Sequence, residues 1–402
     1  MRHIFSALRA AVAGPERRRA HPRIWIAAAL GACVLGIGAS SAAAATFRPT
    51  KIHHVFVIML ENEGYAATFG NPGADPYLAQ TLPSQGALLE SYYATGHASN
   101  DNYVSLVSGQ PPNAQNQADC PKFDNFTGAL MLSSGVETGT GCVYPAEVPN
   151  IGTQLSAKKL SWKGYMEDMG NIASRESAAC GHPALEATDE TQKAVAGDGY
   201  ATRHDPFVYF HSVIDEQSYC EKHVVALGSP TGTMPPTAPK GETGLASDLG
   251  SITKTPRFSF ITPNLCNDGH DYPCSSQPSG ASALADIDTF LETWVPKITS
   301  SQAYRENGLI EIVFDEAANS ETEACCGEMP GPGSPSPGIT VPGGGRVGAV
   351  LLSPFIRPGT VSSTPYNHYS SLASWETIFG VPRLADAASV PAVFGSDVFA
   401  GP

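Results

Sequence analysis

Short runs of apolar residues recur along the chain, and polar residues flank each of them. Uninterrupted runs of this kind are typical of strands buried on both faces of a sheet, because a half-exposed strand alternates apolar and polar residues. The sequence therefore predicts buried strands at residues 55–60, 258–262, 309–314 and 347–352.

Two further segments carry apolar residues at helical spacing. The first lies between the second and third strands and is followed by Pro296, whereas the second ends at Gly380. The apolar positions are Leu284, Ile287, Leu291 and Trp294 in the first segment, and Leu372, Trp375 and Phe379 in the second. Strands separated by helices predict an α/β fold with a doubly wound, mostly parallel sheet.

Two regions depart from this pattern. Residues 110–245 have weaker periodicity and contain four cysteines, so we expect an insertion or lid within the domain. Residues 325–345 are dense in proline and glycine and are expected to form a loop. The strands and helices otherwise extend over residues 46–402, which predicts a single domain.

The first 45 residues have the order of an export signal. Several arginines precede an apolar run at residues 24–37, and small residues follow up to Ala45. This order predicts cleavage near Ala45 and a secreted or periplasmic protein. The run is too short for a stable membrane span. Cys33, which follows Leu30-Gly31-Ala32, leaves lipoprotein anchoring open as an alternative.

Composition agrees with a folded, exported protein. Apolar residues make up 42% of the 402 residues and charged residues 15%, which allows a sizeable core. The net charge of −14 argues against a nucleic-acid partner. The composition does not indicate an oligomeric state.

Eight of the nine cysteines remain after the predicted cleavage, and an even count in an exported chain suggests disulfides. Sequence proximity favours Cys120–Cys142, Cys180–Cys220 and Cys266–Cys274, and it leaves the adjacent Cys325 and Cys326. The spacings differ from those of paired CxxC zinc sites.

Polar side chains that suit a metal ion follow three of the predicted strands. Ligands of open α/β sheets bind outside the carboxyl ends of the strands, so these side chains are expected at one edge. They are Glu61 and Asn62 after the first strand, Asn264, Asp268, His270 and Asp271 after the second, and Asp315 and Glu316 after the third. Any one pair alone is better explained as a helix cap or a solvated loop acid. Their coincidence at three strand ends instead predicts a hard divalent ion, Mg²⁺ or Ca²⁺, with Zn²⁺ or Mn²⁺ possible if histidines join.

Ser99 begins the next feature, a predicted helix after residues 97–98. A serine at a helix start is ordinarily an N-cap. The same position also favours anions, and a hydroxyl bound to a cation is a strong nucleophile, so Ser99 is a candidate to attack phosphorus. There is no GxSxG elbow and no Walker loop in the chain.

Several sequence blocks together resemble the bacterial and fungal phosphoesterase family of the alkaline-phosphatase-like superfamily. This family includes acid phosphatases and non-haemolytic-type phospholipases C. The matching blocks run in family order over nearly the whole chain after the leader: residues 59–62, 97–109, 200–207, 261–271, 314–316, 352–354 and 367–370. Ala98 and Asp101 replace two prolines of the family pattern. The chain is most similar to secreted acid phosphatases, including the phosphatidylinositol-3-phosphatase type.

The resemblance implies an alkaline-phosphatase-like fold and a role for each matching residue. Glu61, Asn62, Ser99, Asp315 and Glu316 would bind the metal, and Ser99 would form a phosphoserine intermediate. Asn102 would donate a hydrogen bond to a phosphate oxygen. A second metal could be held by Asn264, Asp268, His270 and His368, or these residues could act on the phosphate and the leaving group. His204 is a further catalytic candidate, although a structural role for it is equally open.

The substrate implied is a phosphate ester, either a small molecule or a phospholipid head group. A phospholipase C-type diesterase and a non-catalytic metal-binding module remain the alternatives. A sulfatase is disfavoured, because no Cys/Ser-x-Pro-x-Arg stretch surrounds Ser99.

Overall fold

The computed structural model describes residues 51–131, 134–326, 328 and 343–399. The predicted export signal and Cys33 lie outside these residues, and so does most of the proline- and glycine-rich segment 325–345. The described residues belong to one compact unit.

The described residues alternate between strands and helices. The strands are β1 (His54–Leu60), β2 (Ala87–Leu89), β3 (Tyr92–Tyr93), β4 (Thr127–Met131), β5 (Val136–Thr140), β6 (Trp162–Met166), β7 (Val224–Ala226), β8 (Phe258–Thr262), β9 (Gly308–Phe314), β10 (Ala349–Leu352), β11 (Thr360–Ser362) and β12 (Tyr366–Asn367). The helices are α1 (Leu82–Gln85), α2 (Ser99–Ser108), α3 (Ile151–Ala157), α4 (His211–Ile214), α5 (Gln217–His223), α6 (Leu245–Asp248), α7 (Ala283–Ser300), α8 (Gln302–Asn307) and α9 (His368–Phe379).

An eight-stranded sheet forms the centre of the fold, in the order β11-β2-β10-β9-β1-β8-β6-β7. β1 lies between β8 and β9, is parallel to both, and is buried along its whole length. The predicted strands are confirmed, as is the mostly parallel α/β fold. β10 differs because it runs antiparallel to both of its neighbours. An antiparallel partner needs no helical crossover, and no helix occurs in the described parts of the segment that joins β9 to β10.

Both predicted helices are present, and one is longer than expected. α9 ends at Gly380, which adopts the left-handed conformation (φ 64°) that favours glycine at a helix end. α7 begins after Ser282, whose side chain accepts the Ala285 N–H, and it continues through Pro296 to Ser300. The buried Val295 and Ile298 keep this last turn packed on the core and offset the hydrogen bond that the proline cannot make.

The segment 110–245 is more closely integrated into the sheet than a lid would be. It contributes β6 and β7 to the main sheet, together with the separate β4–β5 hairpin. The pattern of apolar runs does not predict these two strands, because β6 contains Lys163 and Gly164, and β7 has only three residues. The four cysteines of this segment form Cys120–Cys142 and Cys180–Cys220.

The pairing expected from sequence proximity is confirmed, because Cys266–Cys274 and Cys325–Cys326 are also bonded. No helix among the described residues is long and apolar enough to cross a bilayer. The parallel direction of β1, β8 and β9 brings the residues after these three strands to one edge of the sheet.

Candidate metal and nucleophile site

Three buried side chains at the carboxyl edge of the sheet are close enough to share a metal ion. Glu61 follows β1, Asp268 lies in the loop after β8, and His204 ends a short 3₁₀ turn. His204 Nε2 is 3.3 Å from Glu61 Oε1, and His204 Nδ1 is 3.2 Å from Asp268 Oδ2. One ligand atom from each of the three residues lies within 4.8 Å of the others.

Main-chain contacts hold these three residues in register. The Glu61 N–H donates to the Asp268 carbonyl (2.9 Å), and the Thr262 hydroxyl at the end of β8 donates to the His204 carbonyl (3.1 Å). Gly269 follows this contact with φ of 102°, and a Cβ there would lie 2.7 Å from Ile287 Cδ1 and 3.2 Å from the Glu61 carbonyl oxygen, so a larger residue would be strained. Hydrogen bonds to backbone groups of Asp268 and His204 therefore hold the triad in place, in addition to the contacts between its side chains.

Ser99 lies beside this triad and does not cap its helix. The N-cap of α2 is Ala98, and Ser99 is the first helical residue. The Ser99 hydroxyl donates to Glu61 Oε2 at 2.9 Å, and the side chain is buried. The hydroxyl thus contacts the acidic cluster rather than the helix backbone, which removes the N-cap explanation for this residue.

Asp315 and Glu316 complete the acidic edge after β9. Asp315 Oδ1 accepts the N–H groups of Asn62 (2.9 Å) and Glu316 (2.6 Å). Glu316 Oε2 is 3.4 Å from His97 Nδ1. Asn62 occupies the left-handed region (φ 63°), and its side-chain amide lies 3.4 Å from Glu61 Oε2.

The electrostatics of this edge favour a bound cation. Burial, and then the neighbouring Asp315 and Asp268 carboxylates, raise the pKa of Glu61 well above its usual range. Burial raises the pKa of Asp315 to about 6, and it also raises the pKa of Asp268 and Glu316. These shifts arise because several carboxylates share a region from which water is excluded.

Burial lowers the pKa of His204 well below its usual range, so its imidazole is neutral and able to act as a ligand. Several buried atoms of the site have no hydrogen-bond partner among the described residues: Glu61 Oε1, His204 Nε2, Asp315 Oδ2 and Glu316 Oε2. Unpartnered polar atoms are costly in a protein interior, and a divalent ion would satisfy them. The residues present therefore fit a metal.

Asn102 has a different position from that expected of a phosphate ligand. Its side-chain oxygen accepts the N–H groups of Thr95 and Gly96, each at 2.9 Å. Its amide nitrogen donates to the carbonyls of Gly96 (2.8 Å) and Ala98 (3.0 Å). Both amide hydrogens are thus used to hold the loop that precedes Ser99.

Asn264 and His368 lie outside the triad. The Asn264 amide donates to Asp168 Oδ2 (2.7 Å), and its oxygen accepts the Cys266 N–H (3.0 Å). His368 Nε2 lies 2.7 Å from the Asp315 carbonyl oxygen, and Nδ1 lies 3.2 Å from the Tyr92 hydroxyl. Both ring nitrogens of His368 therefore have hydrogen-bond partners, and one of them holds the backbone of Asp315.

His270 lies at the rim of the site, where it is partly exposed. Its Nε2 faces the Arg203 guanidinium at 3.0 Å, and its Nδ1 is 2.8 Å from Asp271 Oδ1. Since a guanidinium can only donate, Nε2 is the acceptor and Nδ1 carries the proton. This arrangement orients Arg203 beside the acidic edge.

Sequence analysis assigns no role to three further buried residues at the site. Arg203 contacts His270, the ring of Tyr103 stacks on His204 (centroids 5.2 Å apart), and burial raises the pKa of Asp101 well above its usual range. All three lie inside the sequence blocks that carry the family resemblance. Their position within those blocks is the signal that could have identified them.

Comparison with known proteins gives a consistent family assignment. A model of the phosphoesterase family matches residues 72–382. The chain is 24% identical over 368 residues to a phosphatidylinositol-3-phosphatase of Mycobacterium tuberculosis, covering 92% of this chain and 90% of that protein. It is also 24% identical over 360 residues to an acid phosphatase of Aspergillus fumigatus, covering 87% of this chain and 61% of that protein. The chain thus spans about three fifths of the fungal relative's length.

Among solved structures, the chain is similar to a protein in the alkaline phosphatase superfamily from Vibrio parahaemolyticus. The sequence identity is 14%, the TM-score is 0.45, and the match covers 83% of this chain and 68% of the other. A sulfatase from Pseudoalteromonas is similar at 12% identity with a TM-score of 0.43, covering 82% of this chain and 68% of the other.

Proposed function

Because the chain belongs to the phosphoesterase family and is therefore a hydrolase of phosphoric ester bonds, we propose that it is a metal-dependent acid phosphatase that uses Ser99 as its nucleophile. The observation that carries this proposal is the contact between the buried Ser99 hydroxyl and Glu61, which itself lies in the Glu61–His204–Asp268 triad. A structural calcium site would need no hydroxyl at that position.

The metal would be held first by Glu61, Asp268 and His204, with Ser99, Asp315, Glu316 and Asn62 close by. When bound, a divalent ion would neutralise the carboxylates and stabilise the Ser99 alkoxide. The carboxylates favour Mg²⁺ or Ca²⁺, whereas the imidazole of His204 makes Zn²⁺ or Mn²⁺ a second choice.

Hydrolysis would proceed in two steps. Ser99 Oγ would bond to phosphorus as the bond from phosphorus to the ester oxygen breaks. Its hydroxyl proton, for which Glu61 Oε2 is the nearest acceptor, would pass on to the ester oxygen, which departs as the alcohol. Water would then attack phosphorus and break its bond to Ser99 Oγ, releasing phosphate while one proton of the water restores the Ser99 hydroxyl. Arg203, next to His270 at the rim, would supply positive charge toward the phosphate oxygens.

The substrate class proposed is a phosphomonoester, which includes phosphorylated inositol lipids. The support is the mycobacterial relative, which is named a phosphatidylinositol-3-phosphatase and of which the chain spans 90%. The predicted leader and the disulfides support action outside the cytoplasm.

Metal dependence provides the direct test. We expect the purified full chain to hydrolyse a simple phosphomonoester, to lose that activity on dialysis against a chelator, and to regain it when one divalent ion is added back. Asp268→Asn should raise the metal concentration needed for half-maximal activity by at least tenfold, because it removes one charged ligand.

Asp124→Asn is the matched control and should behave like the parent, because this partly exposed carboxylate pairs with Lys122 (2.6 Å) away from the triad. Full activity in a sample shown by elemental analysis to hold no metal would overturn the proposal. A parallel assay on phosphatidylcholine separates a monoesterase from a phospholipase C.

A further inference from the structure

A cavity lies at the opposite edge of the sheet from the candidate metal site. It has a volume of about 420 Å³, and four lysines line it: Lys159, Lys163, Lys222 and Lys254. We refer to it as the lysine pocket. Among the residues that the structure describes, no aspartate or glutamate lines this pocket, although the chain has 38 acidic residues and only 24 lysines and arginines. Four of the ten lysines of the sequence therefore meet at one cavity.

The topology separates this pocket from the reacting groups. Trp162 begins β6, His223 immediately precedes β7, and Pro256 precedes β8, so the lining residues lie at the amino ends of these parallel strands. The candidate metal site lies at the carboxyl ends. β8 has five residues, and a strand rises about 3.3 Å per residue, so about 15 Å of sheet separates the two edges. A ligand in the lysine pocket cannot reach Ser99.

Three of the lysines have no anionic partner in the described part of the chain. Lys163 contacts Asp248 Oδ2 at 2.8 Å, but the ammonium groups of Lys159, Lys222 and Lys254 form no hydrogen bond or salt bridge within the described ranges. These three residues come from separate segments: the turn after α3, the last turn of α5 and the loop before β8. All three side chains are exposed, so their ammonium groups are free to contact an anion in the pocket.

The rest of the wall is rigid and already hydrogen-bonded. The rings of Trp162 and His223 stack with their centroids 4.6 Å apart, and the Tyr219 ring lies 4.2 Å from that of His223. The Trp162 indole donates to Ser156 Oγ (3.0 Å), which is 2.7 Å from the Tyr219 hydroxyl. The aromatic wall of the pocket is therefore formed before a ligand binds, and a preformed wall lowers the entropic cost of binding.

From this geometry we propose that the lysine pocket is a binding site for anions that carry two or more phosphate groups. Lysine ammonium groups bind phosphate as point charges, and three unpaired ones match a ligand with several charges better than a single carboxylate. The site lies outside the catalytic centre, and its existence does not depend on the function proposed above.

Sodium tripolyphosphate is a suitable probe, and Trp162 provides the signal because it lines the pocket. Fluorescence titration of the full chain is carried out at constant ionic strength in a Ser99→Ala background, so that the probe is not consumed. We expect a saturable change, an affinity at least tenfold higher than for inorganic phosphate, and weaker binding at higher salt. The signal should disappear in a Trp162→Phe variant that still melts cooperatively.

The double substitution Lys222→Gln with Lys254→Gln should weaken tripolyphosphate binding at least tenfold. Both side chains are exposed, so the fold should be unchanged. The matched control is Lys193→Gln with Lys297→Gln, which removes the same charge away from the pocket and should bind like the parent. Equal affinity in the two double variants, or no preference for tripolyphosphate over phosphate, would overturn the proposal. If Ser99 is not the nucleophile, activity persists in the background variant and the binding result stands separately.

Discussion

At the scale of single residues, the positions of the charged groups could be predicted, but their partners could not. The rule that ligands gather at strand ends brings Glu61, Asp268 and Asp315 to one edge, and the structure places them there. Which way a side chain points within a loop depends on its neighbours in space. Asn102 is an example, because four main-chain groups of residues 95–98 engage its amide before any ligand could.

The Ser99 hydroxyl gives the sharpest prediction at this scale. Ser99→Ala removes the proposed covalent step, so kcat on a simple phosphomonoester should fall by about three orders of magnitude or more. The loss of one hydrogen bond to Glu61 should cost only about 1 kcal/mol of stability. Steady-state kinetics and thermal melting of the purified variant measure the two effects separately.

Ser108→Ala is the control for this experiment. Ser108 lies on the same helix and is equally buried, but its hydroxyl donates to the Val104 carbonyl (2.6 Å) and faces away from Glu61. Its variant should keep nearly full turnover. If Ser99→Ala retains comparable turnover, the covalent mechanism is wrong even though the family assignment stands.

At the scale of secondary structure, apolar runs predicted the central strands well because β1, β8 and β9 are buried on both faces. The same rule could not find β6 or β7, since the first contains a lysine and a glycine and the second is too short. The direction of β10 was also beyond the pattern, because burial is the same for parallel and antiparallel strands.

Glu311 is an exception within β9, since it is a buried carboxyl in an otherwise apolar strand. It accepts hydrogen bonds from Ser371 (2.5 Å) and from the Trp375 indole (2.8 Å), both on α9. Burial is nevertheless the larger effect, and it raises the pKa of Glu311 to about 7. The folded protein therefore holds this proton more tightly than the unfolded chain does.

A raised carboxyl pKa predicts stability that falls as pH rises. Between the unfolded pKa, near 4.5, and the folded pKa, near 7, only the folded state keeps the proton, so each pH unit in that interval reduces the stability from this group. The total is on the order of 3 kcal/mol. The Glu311→Gln variant does not titrate. We therefore expect the difference in unfolding free energy to shift in favour of the variant from pH 5 to pH 7 and to level off above pH 7.

Urea unfolding at several pH values measures this difference. Other buried carboxyls with raised pKa values, such as Glu376 at about 8, give both proteins a similar trend, which the comparison cancels. A difference that is constant with pH would show that Glu311 titrates normally and that its burial is less complete than the structure indicates.

At the scale of the whole molecule, the two edges of the sheet have opposite character. The carboxyl edge gathers buried carboxylates around Ser99, whereas the amino ends of β6, β7 and β8 carry the lysine pocket. The shared direction of the strands explains the division, because parallel strands present all their ends of one kind to the same side. Sequence analysis could predict the first edge from acidic strand ends. It could not predict the second, whose lysines come from separate segments of the chain.

The disulfides provide the last prediction, since they act on the chain as a whole. In the chain-entropy account, a crosslink stabilises by restricting the unfolded chain, and its effect grows with the loop that it closes. Cys180–Cys220 spans 40 residues, whereas Cys325–Cys326 spans one. Replacing the first pair by serines should cost about 4 kcal/mol of unfolding free energy, and replacing the second should cost less than about 1 kcal/mol.

The second double variant is thus the control for the loss of two sulfurs. Urea unfolding of both variants, with thiol titration of the denatured, unreduced parent to show that its bonds are intact, makes the comparison. Equal losses would mean that local packing around the sulfurs, rather than chain entropy, sets the contribution of these bonds.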